Sequence, residues 1–475
     1  MAPQGIRKTK VVATIGPASD APDTLAAMIE AGMNVARLNL SHGSHTEHEE
    51  RIARIRAASQ KLDANIAIML DTKGVEVRTG LLAGGSAQLA QGDDFSLYAE
   101  PRPGNASGVS LTYSRLADSI EPGARVLLDD GAIELEALRI EARTVVCRVV
   151  RGGRLESRKG VNVPGTPFEL SPVSEENQAD LRFAVEHDVV YIAASFVRHA
   201  RDVQEIRAFL DEAKADIRII AKIESAEGMD NIREIVAVAD GIMVARGDLG
   251  VEIPVQQVPV AQKQIIRTTV MSGKPVITAT QMLDSMTRNP RPTRAEVSDV
   301  ANAILDGTSA VMLSNETAVG SYPVEAVRTM AALALEAEAA LDEYGHLQHI
   351  QDEPADVMTD AISQAAITLA KALNAKAIVA LTESGGTARA ISKHRPRRPI
   401  LGVTMFPEVA RRLALNWGVT GVLCEHVDSG DEMLARGLER AKHFGYLAPG
   451  DTVVVTAGVD REPGSTNQVR VVNVP

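Results

Sequence analysis

Eight short apolar runs, each closing on a polar or glycine-rich tail, constrain the fold of this chain more than anything else in it. They occupy residues 11–15, 34–38, 66–70, 189–194, 217–223, 241–245, 275–279 and 309–313. Helical patterns follow most of them. The clearest opens with Thr293 and Glu296 at capping-box spacing and continues through Val297, Val300, Ala301, Ile304 and Leu305. Eight strands alternating with helices predict an α/β fold of the (β/α)8 TIM-barrel type, whose working residues sit at the C-terminal strand ends. The polar tails fall at those ends.

At 475 residues the chain is too long for one core and should hold several domains. The barrel spacing breaks once, between residues 70 and 189. Short alternating runs separated by glycine turns fill 74–167 and predict a small inserted β-barrel domain, placed to act as a lid. Beyond 356, apolar runs at 377–381, 400–403, 421–423 and 452–455 alternate with helical patterns, the first at 361–373. They predict an open, mostly parallel sheet, with 469–474 as a final strand at an edge. The expected plan is a catalytic barrel over 1–73 and 168–345, a lid over 74–167, and a C-terminal α/β effector-binding domain over 356–475.

A net charge of −12 argues against a nucleic-acid surface, so an anionic substrate needs a local basic site. Cys147 and Cys424 are the only cysteines and lack metal-ligand spacing, which fits a reducing compartment. No signal-peptide core and no apolar stretch of 18 residues is present. The expectation is a cytoplasmic protein with no membrane or nucleic-acid partner.

Chemistry concentrates where the fifth and sixth runs turn polar. Lys222 and Glu224 are two apart, so on an extended strand they point the same way. Asp248 follows 24 residues after Glu224, at the end of what reads as the neighbouring parallel strand. Two carboxylates with open positions between them suit a hard divalent ion such as Mg2+. A lysine beside that ion can meet charge developing on a transferring phosphoryl group. Taken alone, the same residues also fit a surface salt bridge at a strand end.

Strand two ends in Ala36-Arg37-Leu38-Asn39-Leu40-Ser41-His42-Gly43, and strand three in Leu70-Asp71-Thr72-Lys73-Gly74-Val75-Glu76-Val77-Arg78. With the two segments around Lys222 and Asp248, and with Thr280 to Met286, five motifs in order resemble the pyruvate kinase family. The resemblance runs along essentially the whole chain. It implies phosphoryl transfer from phosphoenolpyruvate to ADP, giving pyruvate and ATP in the last step of glycolysis, by a homotetramer. By matching positions, Glu224 and Asp248 would hold Mg2+ or Mn2+, Lys222 would neutralise the moving phosphoryl group, and Arg37 would grip the phosphate. Arg78 would contact phosphates, Gly247 and Asp248 would cradle the substrate carboxylate, and Thr280 would relay a proton to the enolate carbon.

Asn39, Ser41, Asp71 and Thr72 would bind K+, and Glu76 marks the K+-dependent members of the family. Asn39, His42, Arg78 and Lys159 would face the nucleotide. His42 reads equally as a rim histidine bonded to backbone, and Asp129 and Asp130 fit a turn before Gly131 better than a second metal site. Val75, Ser225 and Asn315 depart from the usual family strings. Asn315 stands where glycine is common, and asparagine tolerates the left-handed backbone such a turn would need.

After the run at 377–381 come Thr382, Glu383, Ser384, Gly385, Gly386 and Thr387, then a helix. Strand, small-residue loop and helix start form a phosphate-binding arrangement. An ordinary turn between strand and helix fits the same residues. The resemblance implies a phosphorylated allosteric effector here, with Thr382, Ser384, Gly385, Gly386 and Thr387 as its ligands. A second glycine-rich element at 458–467 would close over it. Glu383 would repel a second phosphate and so favours a sugar monophosphate or AMP. Two other functions share parts of this pattern. A Mg2+-dependent carbon–carbon lyase would need the carboxylate pair but not Arg78, the cation site or the lid. A metabolite sensor would need only the C-terminal domain.

Overall fold

The computed structural model describes residues 6–74, 76–166, 168, 171–345, 357–458 and 466–475. Val75 and most of the 458–467 element lie outside the described residues. The eight apolar runs form β1 (Lys10–Thr14), β2 (Val35–Asn39), β3 (Ala67–Asp71), β4 (Tyr191–Ala194), β5 (Arg218–Ile223), β6 (Gly241–Ala245), β7 (Val276–Ala279) and β8 (Ala310–Leu313). They close into a barrel in which every neighbouring pair is parallel. These strands are apolar almost throughout because both of their faces are covered, one by the barrel interior and one by helices. Met28, Met33, Met282 and Met286 pack into this core, as expected of methionines at such positions.

Local chemistry sets the helix starts. Thr293 Oγ1 accepts from the Glu296 amide, Glu296 accepts in return from Thr293, and the helix Arg294–Leu305 follows. Ser44 and Glu47 build the same box before the helix His45–Lys61. Asn315 departs from expectation: it has no positive φ and opens the short helix Asn315–Ala318, so a left-handed tolerance is not drawn on there.

Between β3 and β4 lies the all-β insertion. A six-stranded sheet and a two-stranded one, Ser86–Leu89 against Gly153–Glu156, wrap one core that includes Phe95, Leu97, Leu128 and Leu135. The chain leaves the barrel through Gly74, whose φ is +70°. A Cβ there would stand 2.6 Å from Ser195 Cβ, so only glycine fits.

The C-terminal sheet runs in the order Val419–Leu423, Ile400–Thr404, Ala377–Leu381, Thr452–Gly458 and Thr466–Asn473. The first four strands are parallel and the last is antiparallel at the edge. Its first helix, Val357–Ala372, starts before the predicted 361. The domain docks on the base of the barrel, where the strands begin. Lys10 donates to the Val419 carbonyl at 2.5 Å, Asn65 to Gly421 at 3.0 Å, and Tyr191 to Arg412. Among the described residues no helix is long and apolar enough to cross a membrane.

Candidate active site

β5 and β6 are parallel neighbours, with Lys222 opposite Met243. Strand alternation turns Lys222 and Glu224 to the same side, and Lys222 Nζ lies 2.9 Å from Glu224 Oε1. The same ammonium lies 3.0 Å from Asp71 Oδ1 and donates to Ser195 Oγ at 2.6 Å. Asp71 ends β3, and its other oxygen accepts from Arg37 Nε at 2.7 Å. Arg37 Nη1 reaches Thr14 Oγ1 at 2.8 Å. The C-terminal ends of β1, β2, β3, β4 and β5 are thus joined by one network.

The network is almost dry, with Asp71 and Glu224 only 1 % and 2 % exposed. Burial works to lower the Lys222 pKa, but Asp71 and Glu224 outweigh it and hold the ammonium above the ordinary lysine value. Burial likewise works to raise Asp71, yet Arg37 and Lys222 hold it below the usual carboxylate range. Glu224 goes the other way. Burial pushes it up against the pull of Lys222, and Asp248 adds repulsion; Asp248 is itself raised by burial. Two carboxylates left with raised pKa values form a donor pair that a cation would relieve. Among the described residues no three His, Cys, Asp or Glu side chains converge on one point. A divalent ion here would take its remaining oxygens from substrate and water.

Thr280 directly follows β7 with φ +66°, and Gln281 comes next at +53°. Two successive non-glycine residues in the left-handed region persist only where the surroundings fix them. Thr280 Oγ1 accepts from the Gly247 amide at 2.9 Å. Arg246 fixes the backbone from beside it, donating to the carbonyls of Ala279 (3.0 Å) and Thr280 (2.6 Å) and to Asp299 (2.8 Å).

The expected K+ ligands are partly engaged. Asn39 Oδ1 accepts from the Ser41 amide at 3.2 Å, and the Thr72 carbonyl accepts from Ser195 Oγ at 2.8 Å. His42 is exposed, and its carbonyl is bonded to His48 Nε2 at 2.8 Å. On the lid, Arg78 lies 2.5 Å from Glu76, whose pKa burial raises. Lys159 pairs with Asp129 at 3.0 Å, and Asp129 and Asp130 form the left-handed turn before Gly131. Lys159 and His42 therefore stand apart from the Lys222 network. Thr382 Oγ1 accepts from the Gly385 amide, Ser384 Oγ from Gly386, and Thr387 Oγ1 meets Thr466 Oγ1 at 2.6 Å.

Ser195, Thr14 and Arg246 were not singled out from sequence. Ser195 carries a sequence signal of its own: it follows the fourth apolar run directly, at a predicted strand end.

A closed parallel barrel with a largely buried lysine, and a buried arginine and carboxylates, at its C-terminal rim has the architecture of a barrel enzyme that handles charged substrates. The family described as "Pyruvate kinase, barrel domain" matches residues 6–327, and "Pyruvate kinase, alpha/beta domain" matches 360–472. The pyruvate kinase of Geobacillus stearothermophilus is 51 % identical over 469 residues, covering 98 % of this chain and 80 % of that protein. That of Staphylococcus aureus is 48 % identical over 472 residues, with the same coverage. The crystal structure of a pyruvate kinase from Cryptosporidium parvum superposes with a TM-score of 0.94 at 39 % identity, covering 99 % of this chain and 96 % of that one. The chain belongs to the pyruvate kinase family.

Proposed function

We propose that the chain transfers the phosphoryl group of phosphoenolpyruvate to ADP, giving pyruvate and ATP. The observation that carries this reading is Lys222, held charged in a dry site between Asp71 and Glu224. A fixed ammonium at low dielectric meets charge that develops on a transferring group without reorganising at the moment of reaction. Arg37 offers a planar fork for phosphate oxygens, already oriented by Asp71 and Thr14. Thr280 relays a proton at Oγ1, positioned by the Gly247 amide. Arg78, His42, Asn39 and Lys159 serve the nucleotide, and the inserted domain excludes water as a lid.

Glu224 and Asp248 would hold Mg2+ or Mn2+, which would supply positive charge to substrate oxygens. Asn39, Ser41, Asp71 and the Thr72 carbonyl would hold K+, with Glu76 as the residue that makes it necessary. The 382–387 loop takes a singly phosphorylated effector, and the working form is a homotetramer. A coupled assay for pyruvate formed from phosphoenolpyruvate and ADP tests the central claim. Turnover supports it; no turnover with Mg2+ and K+ present refutes it.

A further inference from the structure

The base of β7 and β8 meets the C-terminal domain around a guanidinium that is out of water and, among the described residues, has no counter-ion in contact. Arg395 follows the helix Gly386–Lys393 and is 6 % exposed. Its Nη2 donates to the Gly307 carbonyl at 2.6 Å and to Ser309 Oγ at 3.2 Å. Its Nε and Nη1 are buried and have no hydrogen-bond partner among the described residues. The Trp417 ring, 4.8 Å from Cζ, offers a π face but no lone pair. Buried donors are nearly always satisfied, so two on one charged group call for an acceptor.

A small cavity lies against this residue. Lys274, Lys393, Ser309, Asn416 and Trp417 line it with Arg395, and it has room for one small ion or water. Among the described residues its lining holds three cations and no carboxylate. The acids nearby among the described residues are spent elsewhere. Asp360 lies 2.9 Å from His394 and 3.9 Å from Lys393, and Glu338 accepts from the amides of Lys8 and Thr9. Lys274 gives its hydrogens to the carbonyls of Val236 and Ala237, which neutralise no charge. Burial pushes the Arg395 guanidinium down to about 9, and Glu338 only partly offsets it. A water would satisfy the donors and leave that charge uncompensated.

We propose that this cavity is a binding site for a monatomic monovalent anion, chloride in ordinary solution, which ties the barrel base to the C-terminal domain. Arg395 Nε and Nη1 are its donors. Ser309 Oγ accepts from Nη2, which leaves its own hydrogen to turn toward the anion. The proposal rests on the geometry of the base and is independent of any chemistry at the rim.

Crystals grown without halide and transferred to bromide test it directly. The expected result is an anomalous bromine peak in contact with Arg395 Nη1. A peak absent there, with water refined in its place, overturns the proposal. In solution, an ion bound only by the folded protein raises the unfolding midpoint with the logarithm of its concentration. The midpoint should therefore rise in chloride over gluconate at equal ionic strength, and the rise should shrink in Arg395→Lys and in Ser309→Ala. Ser309→Ala keeps the guanidinium and gives the readout if Arg395→Lys fails to fold. A chloride response equal in wild type and Ser309→Ala overturns the assigned ligand set.

Discussion

At Asp71 a single carboxylate receives Arg37 on one oxygen and Lys222 on the other, so both cations are held in place before any ligand arrives. Removing either partner of such a buried group leaves the rest uncompensated. Lys222→Met is expected to lower turnover by roughly two orders of magnitude or more, the usual loss when one preorganised charge is removed. Circular dichroism and the unfolding midpoint should show a folded barrel; near-normal turnover in the folded variant would remove Lys222 from the chemistry. Glu76 gives a second expectation at this scale. Burial, Asp130 and Glu224 raise its carboxylate against the pull of Arg78, and a monovalent cation nearby would relieve that repulsion. Activity should fall steeply when K+ gives way to a bulky cation, and Glu76→Lys should lessen that fall. Equal rates of the wild-type enzyme with and without K+ would show that no such cation is used.

Elements were more legible in the sequence than contacts were. Each barrel strand lies within two residues of its apolar run, because burial on both faces makes such runs continuous and their polar ends abrupt. Lys222 beside Glu224 was equally legible, since strand alternation alone puts them together. The meeting of Asp71, Ser195 and Lys222 was not, because it depends on how β3, β4 and β5 lie side by side, and no local pattern encodes that. Buried arginines such as Arg395 and Arg412 were missed for a related reason: on composition alone they read as solvated charge. Helix starts can be tested singly. Thr293→Ala removes the acceptor of the Glu296 amide and should cost about 1 kcal/mol, seen as a lower urea midpoint. An unchanged midpoint would mean that neighbouring contacts, not the cap, fix that helix.

Over the whole molecule, the docking of the C-terminal domain should be sensitive to pH. Burial pushes Lys10 down to about 7, with Arg7 adding repulsion, while the unfolded chain keeps the ordinary value of 10.5. Between those values the unfolded state binds more protons, so stability should rise with pH across that window. Unfolding midpoints from pH 7 to 10 should climb in the wild type and flatten in Lys10→Met; parallel slopes would count against it. The 382–387 loop of the C-terminal domain carries another expectation. Ser384→Ala with Thr387→Ala should weaken activation by a sugar monophosphate or AMP and leave effector-free kinetics nearly unchanged. Unaltered binding of these effectors by the double variant would make the loop a structural turn. A last consequence concerns how the lid is rooted. Ser195 Oγ donates to the Thr72 carbonyl and accepts from Lys222, and Gly74 passes hard against the same serine. The root of the inserted domain and the ammonium of the rim are thus geared through one hydroxyl. An occupant that tightens the rim and a restraint on this root would then act on each other by the same factor, wherever the two are energetically coupled.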